Sequence, residues 1–282
     1  MGAGFADGEF FRMTILDELA AYAQERVAAA QSKVPEAVLR QQALQLVQAE
    51  EQSVTGEPAR LPFAAALSRE GVSFICECKK ASPSKGVIAA DFPYLQIAKE
   101  YEAAGADAIS VLTEPKWFLG SDEYLQQIAS QVAIPCLRKD FTVSSYQIYE
   151  AKCLGAKAVL LICSLLPAAT IKNYLALCRE LRLDALVEAH DEHEIEQALE
   201  AGAQIIGVNN RNLKDFSVNT ENSRRLRAMV PSEVLFVAES GVTSGQDVAA
   251  LAEIGVDAVL VGESLMRAPD KKAKLRELKG LA

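Results

Sequence analysis

The sequence lacks both Gly-x-Gly-x-x-Gly and Gly-x-x-x-x-Gly-Lys-Ser/Thr, the glycine-rich turns that wrap dinucleotides and nucleoside triphosphates, and so argues against either ligand. It also lacks long apolar runs: the longest, such as 158–163, fall far short of the about 20 residues that cross a bilayer. Basic charge is scarce. Lys and Arg number 29 against 38 Asp and Glu, for a net charge of −9 and a pI near 5.0. That balance disfavours a nucleic-acid backbone or an anionic membrane as partner, and any anion must be held by a local cluster of cations. Residues Met1-Gly2-Ala3-Gly4-Phe5-Ala6-Asp7 show no basic segment before an apolar one and no Ser or Thr at position 6. Neither a secretory signal nor myristoylation is expected, and a soluble cytoplasmic protein is. The six cysteines, at 76, 78, 136, 153, 163 and 178, follow no metal-ligand spacing and mostly sit in apolar segments, which predicts buried free thiols. His190 and His193 stand three apart at the start of a helix without further ligands nearby, so no metal site is expected.

What is present is enough apolar residue for one large core: 282 residues, 50% hydrophobic, suit a single α/β barrel of about 250 residues. Ile15, Leu16, Leu19, Tyr22, Ala23 and Val27 recur at helical spacing, with Thr14 and Asp17 placed as a capping box. A second helix begins near Pro35 and a short one covers 63–68, with a polar connector over 53–62. These helices form an extension over 1–70, expected to pack on a barrel that occupies 71–282.

From residue 71 a phrase repeats: helix end, glycine, strand start. Its glycines, Gly105, Gly155, Gly202 and Gly255, lie 50, 47 and 53 residues apart, which leaves one more strand and helix between each pair. Eight βα units result, with strands near 73–79, 107–113, 134–139, 158–163, 184–189, 204–209, 234–240 and 257–262. Apolar strands alternating with helices imply a parallel sheet, and eight units favour closure into a TIM barrel over an open doubly wound sheet.

In such a barrel the site forms at the C-terminal strand ends, where this chain places its charge. Side chains alternate along a strand, so Ile75, Glu77 and Lys79 share one face. The third strand ends in Lys139, the fifth in Glu188, the sixth in Asn209-Asn210-Arg211 and the seventh in Glu239-Ser240-Gly241. Lysines and carboxylates on an apolar floor perturb one another's pKa values and suit acid and base steps, desolvation lowering the lysines. A ring of structural salt bridges is the alternative. Ser82-Pro83-Ser84-Lys85-Gly86 turns out of the first strand beside two lysines, and glycines follow strands seven and eight (Gly241, Gly262). These turns suit a phosphate, with 264–267 as the short extra helix at such a site. Trp117, Phe118 and Phe141 lie near the mouth, either as core or as walls for an aromatic ligand. Arg138, on the helix-facing side of its strand, has no evident partner.

Seven ordered stretches resemble the indole-3-glycerol phosphate synthase family. They are 77–86 (Glu77-Cys78-Lys79-Lys80-Ala81-Ser82-Pro83-Ser84-Lys85-Gly86), 112–121, Leu137-Arg138-Lys139-Asp140-Phe141, Leu186-Val187-Glu188, 206–213, Val237-Ala238-Glu239-Ser240-Gly241 and 260–267. The likeness runs from about Thr14 to near the C-terminus. It implies a (β/α)8 barrel with extra N-terminal helices. The implied reaction converts 1-(2-carboxyphenylamino)-1-deoxyribulose 5-phosphate to indole-3-glycerol phosphate, carbon dioxide and water. No cofactor or metal is implied, and the partner is the small anionic substrate. Lys139 is the implied general acid, Glu188 and Glu77 the candidates for proton transfer. Lys79 contacts substrate charge, and Asn209 and Ser240 orient hydroxyls and carboxylate. Ser82, Pro83, Gly241, Gly262 and Glu263 fall at the phosphate and substrate, Glu263 through its backbone N–H, with Arg211 and Phe141 lining the pocket. A monomer is expected. A sugar-phosphate isomerase of the same barrel class would want a Cys and Asp pair where this chain carries Glu and Lys, and a catalytically silent phosphate-binding barrel would not need intact Lys139, Glu188 and Glu77.

Overall fold

The computed structural model describes residues 14–53, 60–212 and 216–281. The stretch from Met1 to Asp7, most of the 53–62 connector and Leu213 at the end of the fifth family-like stretch lie outside them.

Helices α1 (Ile15–Lys33), α2 (Glu36–Ser53) and α3 (Pro62–Leu67) precede the barrel. The barrel strands are β1 (Ser73–Cys78), β4 (Ala108–Leu112), β5 (Cys136–Lys139), β6 (Ala158–Ile162), β7 (Asp184–Ala189), β8 (Ile205–Asn209), β9 (Leu235–Glu239) and β10 (Ala258–Val261). Between β1 and α4 (Tyr94–Ala103) the chain adds a hairpin that the sequence pattern did not announce, β2 (Ala81–Ser82) and β3 (Gly86–Val87). The remaining helices are α5 (Asp122–Gln131), α6 (Ser145–Cys153), α7 (Ala168–Glu180), α8 (Glu192–Ala201), α9 (Glu221–Arg227), α10 (Gly245–Glu253), α11 (Glu263–Arg267) and α12 (Lys271–Leu278).

All eight long strands run parallel, and β1 pairs with both β4 and β10, so the sheet closes and the open-sheet alternative is excluded. The pleat sorts the core into two. Ile75, Leu137, Leu160, Leu186, Val237 and Leu260 fill the barrel, while Phe74, Cys76, Val111, Val187, Phe236 and Val259 pack under the helices. Local signals set the helix boundaries. Thr14 and Asp17 form the capping box at α1, and side chains of Ser121, Ser144, Asp191, Ser244 and Asp270 cap the helices that follow them. The repeated glycines all adopt left-handed backbone, with φ of +88°, +87°, +87° and +77°, which lets each helix reverse into the next strand. The cysteines are free, and all but the half-buried Cys153 are buried. Among the described residues no helix is long and apolar enough to cross a membrane.

Helix α3 closes the bottom of the barrel. Phe63 and Leu67 enter the inner core beside Ala108, Ala158 and Ala258, at or near the strand starts. Its N-cap position, Leu61, has no side-chain acceptor, and the missing cap comes from afar: Asp184 at the start of β7 accepts from the Ala64 N–H at 2.8 Å. Burial pushes the Asp184 carboxyl up to about 6 despite that hydrogen bond. A carboxyl raised in the folded state contributes stability below its unfolded pKa and loses it as pH rises through its folded one. Asp184→Asn, which keeps the acceptor and removes the charge, should therefore stabilise the protein by about 1–3 kcal/mol at pH 8 and by nothing below about pH 4. Urea unfolding at the two pH values reads the difference.

Candidate active site

The inward-facing row continues one pleat past the last aliphatic layer, and there it becomes charged. Glu77 follows Ile75, Lys139 follows Leu137, Glu188 follows Leu186, Asn209 follows Gly207 and Glu239 follows Val237. These side chains form the floor of a cavity of about 610 Å³. Every site residue singled out from the sequence lines it: Glu77, Lys79, Ser82, Pro83, Lys139, Phe141, Glu188, Asn209, Arg211, Ser240, Gly241, Gly262 and Glu263. The extension contributes Ile15, Leu16 and Leu19 of α1 as an apolar wall. The sequence marked α1 as amphipathic but gave no sign that part of its apolar face meets a ligand space.

Lys139 is the centre. Its Nζ lies 3.3 Å from Glu188 Oε2 and 3.3 Å from Glu239 Oε2. Burial alone would lower the ammonium pKa, but Glu239, Glu188 and Glu77 together hold it above the ordinary lysine value. The expectation that desolvation lowers the lysines is therefore reversed at Lys139: three carboxylates outweigh the lost water. Burial would raise Glu188 as well, and Lys139, His190 and Asn209 bring it below the usual carboxylate range. Glu239 goes the other way, pushed up by burial and by its neighbour Glu188, and its Oε1 is buried without a hydrogen-bond partner. Two carboxylates about one ammonium thus differ in basicity.

A second pair sits beside the first. Lys79 Nζ lies 2.6 Å from Glu77 Oε1, and Ser110 donates to Glu77 Oε2 at 3.2 Å. Burial acts to raise Glu77, but Lys79, Lys139 and Ser110 keep it ionised. Asn209 donates to Glu188 Oε1 at 3.2 Å and accepts from Ser240 Oγ at 3.0 Å, so its amide is oriented from both ends. Arg211 donates a guanidinium N–H to the Phe216 carbonyl at 3.2 Å, tying its loop at the cavity wall.

Two glycines pack directly against these side chains. A Cβ at Gly207 would stand 2.2 Å from Glu239 Oε1, and one at Gly262 would stand 2.6 Å from Glu77 Oε1 and 3.1 Å from Lys79 Nζ. Gly262 opens the five-residue helix α11, and Ser240 and Gly241 both have positive φ, +66° and +89°. The turns after β9 and β10 and the hairpin after β1 bring Ser82, Gly241, Gly262 and Glu263 to one side of the cavity. The Glu263 carboxylate is engaged with Arg267 at 3.1 Å and Lys85 at 3.7 Å.

The aromatics divide. Phe118 and Phe141 line the cavity with ring centroids 6.1 Å apart. Trp117 turns away and meets Tyr22 of α1 edge to face at 5.6 Å. Glu114 sets that turn: its buried carboxylate accepts the backbone N–H groups of Lys116, Trp117 and Phe118.

Three groups escaped the sequence reading. Glu239 was named as a strand end but given no role, and its inward parity with Val237 was the signal that could have placed it beside Lys139. Asp140 also belongs to the cavity lining, but its carboxylate is engaged with the extension and β4 side, where it takes a bidentate pair from Arg26 of α1 at 3.0 and 2.6 Å and a hydrogen bond from Thr113 at 2.7 Å. His190 stands behind Glu188, outside the cavity. Arg138, unplaced from sequence, is 3% exposed and reaches Asp122 and Glu150 at 2.7 Å each and the Gln147 carbonyl at 3.0 Å.

The comparisons agree with this geometry. The profile of the family described as indole-3-glycerol phosphate synthase matches residues 16–278. An indole-3-glycerol phosphate synthase from Ruminiclostridium cellulolyticum is 52% identical over 268 residues, covering 95% of this chain and 100% of its own. The one from Lachnoclostridium phytofermentans is 48% identical, covering 95% and 99%. Among solved structures, 3-hexulose-6-phosphate synthase from Salmonella typhimurium aligns with a TM-score of 0.58 at 17% identity, over 74% of this chain and 98% of that one, a likeness of fold alone. With the family profile spanning most of the chain and relatives near half identity over almost all of it, the chain belongs to the indole-3-glycerol phosphate synthase family.

Proposed function

We propose that the protein closes, decarboxylates and dehydrates 1-(2-carboxyphenylamino)-1-deoxyribulose 5-phosphate to indole-3-glycerol phosphate. The observation that carries this is the Lys139 ammonium, fixed between Glu188 and Glu239 at the centre of a cavity with aromatic walls on one side and glycine turns on the other. The phosphate is assigned to the turns at Ser82, Pro83, Gly241, Gly262 and Glu263, the last through its backbone N–H, and the phenyl ring to Phe118, Phe141 and the apolar face of α1.

Lys139 protonates the ribulose carbonyl oxygen as the ring carbon attacks it. Its raised pKa keeps the proton in place until an alkoxide begins to form, and that oxygen in a water-poor site is more basic still. Carbon dioxide then leaves and its bonding pair restores the aromatic ring. Lys79 contacts the substrate's charge and protonates the departing hydroxyl, while Glu188 or Glu77 takes the proton lost beside it. Asn209 and Ser240, already joined by a hydrogen bond, orient the sugar hydroxyls and the carboxylate. Arg211 and Phe141 keep the walls. We place the enzyme in the cytoplasm as a monomer acting on this small anionic substrate, with no nucleic acid or membrane involved. The isomerase alternative has no cysteine to use, since Cys76 and Cys78 face the helices and burial raises both thiols.

Incubating the purified protein with the carboxyphenylamino-deoxyribulose phosphate should give the fluorescence of an indole product. A trace no higher than the protein-free blank would sink the assignment.

A further inference from the structure

His190 is the first residue after β7 and belongs to no part of the cavity lining, nor do Glu194 and Ser164 beside it. Its Nδ1 lies 3.0 Å from Glu194 Oε2 and 3.3 Å from Ser164 Oγ, and Ser164 also donates to Glu194. Its Nε2 points the other way, 3.3 Å from Glu188 Oε1, close enough for an ion pair but not aligned for a hydrogen bond. Ser164 is exposed, Glu194 and His190 are half-buried, and Glu188 is buried. A line of titratable groups therefore leads from solvent, behind the barrel wall, to the carboxylate that touches Lys139. Helix capping accounts for Glu194, which accepts the His190 backbone N–H at 2.8 Å. It does not account for an imidazole aimed at Glu188.

The synthase reaction supplies a use for such a line, and the role given to His190 rests on that reaction. The carbonyl oxygen of the substrate leaves as water, so it gains two protons. One proton is lost from the ring carbon beside it during dehydration, and the carboxylate leaves as carbon dioxide without one. Each turnover therefore draws one proton from solvent. With substrate filling the mouth of the cavity, Lys139 has bound substrate on one side and Glu188 on the other.

We propose that His190 conducts this proton, reloading Lys139 from solvent through Glu188. The imidazolium turns to align its Nε2–H with Glu188 Oε1, 3.3 Å away, and gives that proton to it. The Glu188 carboxyl turns about its terminal torsion, a broad two-fold rotor, and hands the proton to Lys139 Nζ. The neutral imidazole rotates in turn, exposes the bared nitrogen to Ser164 and solvent, and is protonated again. No bond other than N–H and O–H changes. The order of basicities agrees: burial would lower His190, but Glu188 and Glu194 push it up to about 10, and Lys139 is held above its own ordinary value. Glu188 is held a poor proton carrier chiefly by the Lys139 charge, with the His190 imidazolium and Asn209 adding to it. Once Lys139 has given its proton to substrate, the charge that chiefly depressed Glu188 is gone. The groups facing His190 are Glu188 from β7, Asp191 and Glu194 at α8, the neutral Ser164 and Cys163 after β6, and Asn222 of α9, which donates to the His190 carbonyl at 3.0 Å.

His190→Gln tests this by steady-state kinetics across pH 6.5–9 with and without added imidazole. The variant should keep KM within about twofold, lose about tenfold in kcat with the loss steepest at high pH, and recover as imidazole is raised, while wild type ignores imidazole. Unchanged kcat at the highest pH overturns the proposal. So does a loss with altered KM that imidazole does not restore, since that marks a merely structural side chain. If His190→Gln does not fold, Glu194→Gln, which retains the hydrogen bond from the His190 N–H and removes one of the charges that raise the imidazolium, should make kcat fall at lower pH than in wild type, and an unmoved profile counts equally against the relay. Failure of the underlying reaction is a separate result: wild type itself would then form no indole product.

Discussion

Lys139→Ala should abolish turnover, with kcat lower by at least about 10³-fold, while substrate binding weakens by no more than about tenfold, because a proton donor contributes chiefly to the transition state. Single-turnover fluorescence reads the first quantity and calorimetric titration with the unreacted substrate the second. Near-normal turnover would remove Lys139 from its role. The variant carries a second signature. Without the ammonium, Glu188 and Glu239 face each other across a buried site, and like charges there cannot both stay ionised. One carboxyl must hold a proton in the folded variant, so its pKa is raised. Stability should then be greatest below the unfolded carboxylate pKa and fall as pH rises through the raised one, a slope that a simple cavity would not produce.

The second large effect is on stability. Arg138→Met preserves length and apolar bulk but removes a fully buried cation from Asp140, Asp122 and Glu150. Asp122 and Glu150 can turn toward water, whereas Asp140 cannot: it is 2% exposed and keeps only Arg26, Thr113 and the Phe141 N–H. Breaking a buried ionic cluster from one side costs about 3–5 kcal/mol, which urea unfolding would register as an earlier midpoint. Equal stability of Arg138→Met and wild type would show the cluster to be ornamental. Asp140 joins Lys139 to Phe141, so disturbing it should also displace the general acid and the aromatic wall together.

The sequence disclosed periodic features well and long-range ones poorly. Eight strands, their order and the inward row from Glu77 to Glu239 follow from alternation and from the spacing of Gly105, Gly155, Gly202 and Gly255, all local properties of the chain. The site followed because inward charge at strand ends is costly to bury and conspicuous when read in phase. The cap that Asp184 lends to α3 and the pairing of Arg26 with Asp140 join residues far apart in sequence, and the partners of Arg138 sit on the two flanking helices, so none of these leaves a periodic trace. The sign of the Lys139 shift was missed for a related reason. Its burial could be inferred from its own strand, but the three carboxylates that outweigh burial stand on β1, β7 and β9, and counting them as neighbours requires the closed barrel. The β2–β3 hairpin is too short for any period to register.

The bond from Arg26 to Asp140 spans 114 positions, and β1 pairs with β10 across Phe74 to Val259. Helix α1 therefore leaves the ribosome before any of its partners exists, and the first strand waits beside an unfinished edge until the last is made. The apolar wall that α1 gives the cavity can be placed only after the strand carrying Lys139 has emerged. Contacts of such separation slow folding and leave early segments exposed to wrong partners. The pocket cannot be complete before β10 and the turn after it have been made, although its wall is among the first parts synthesised.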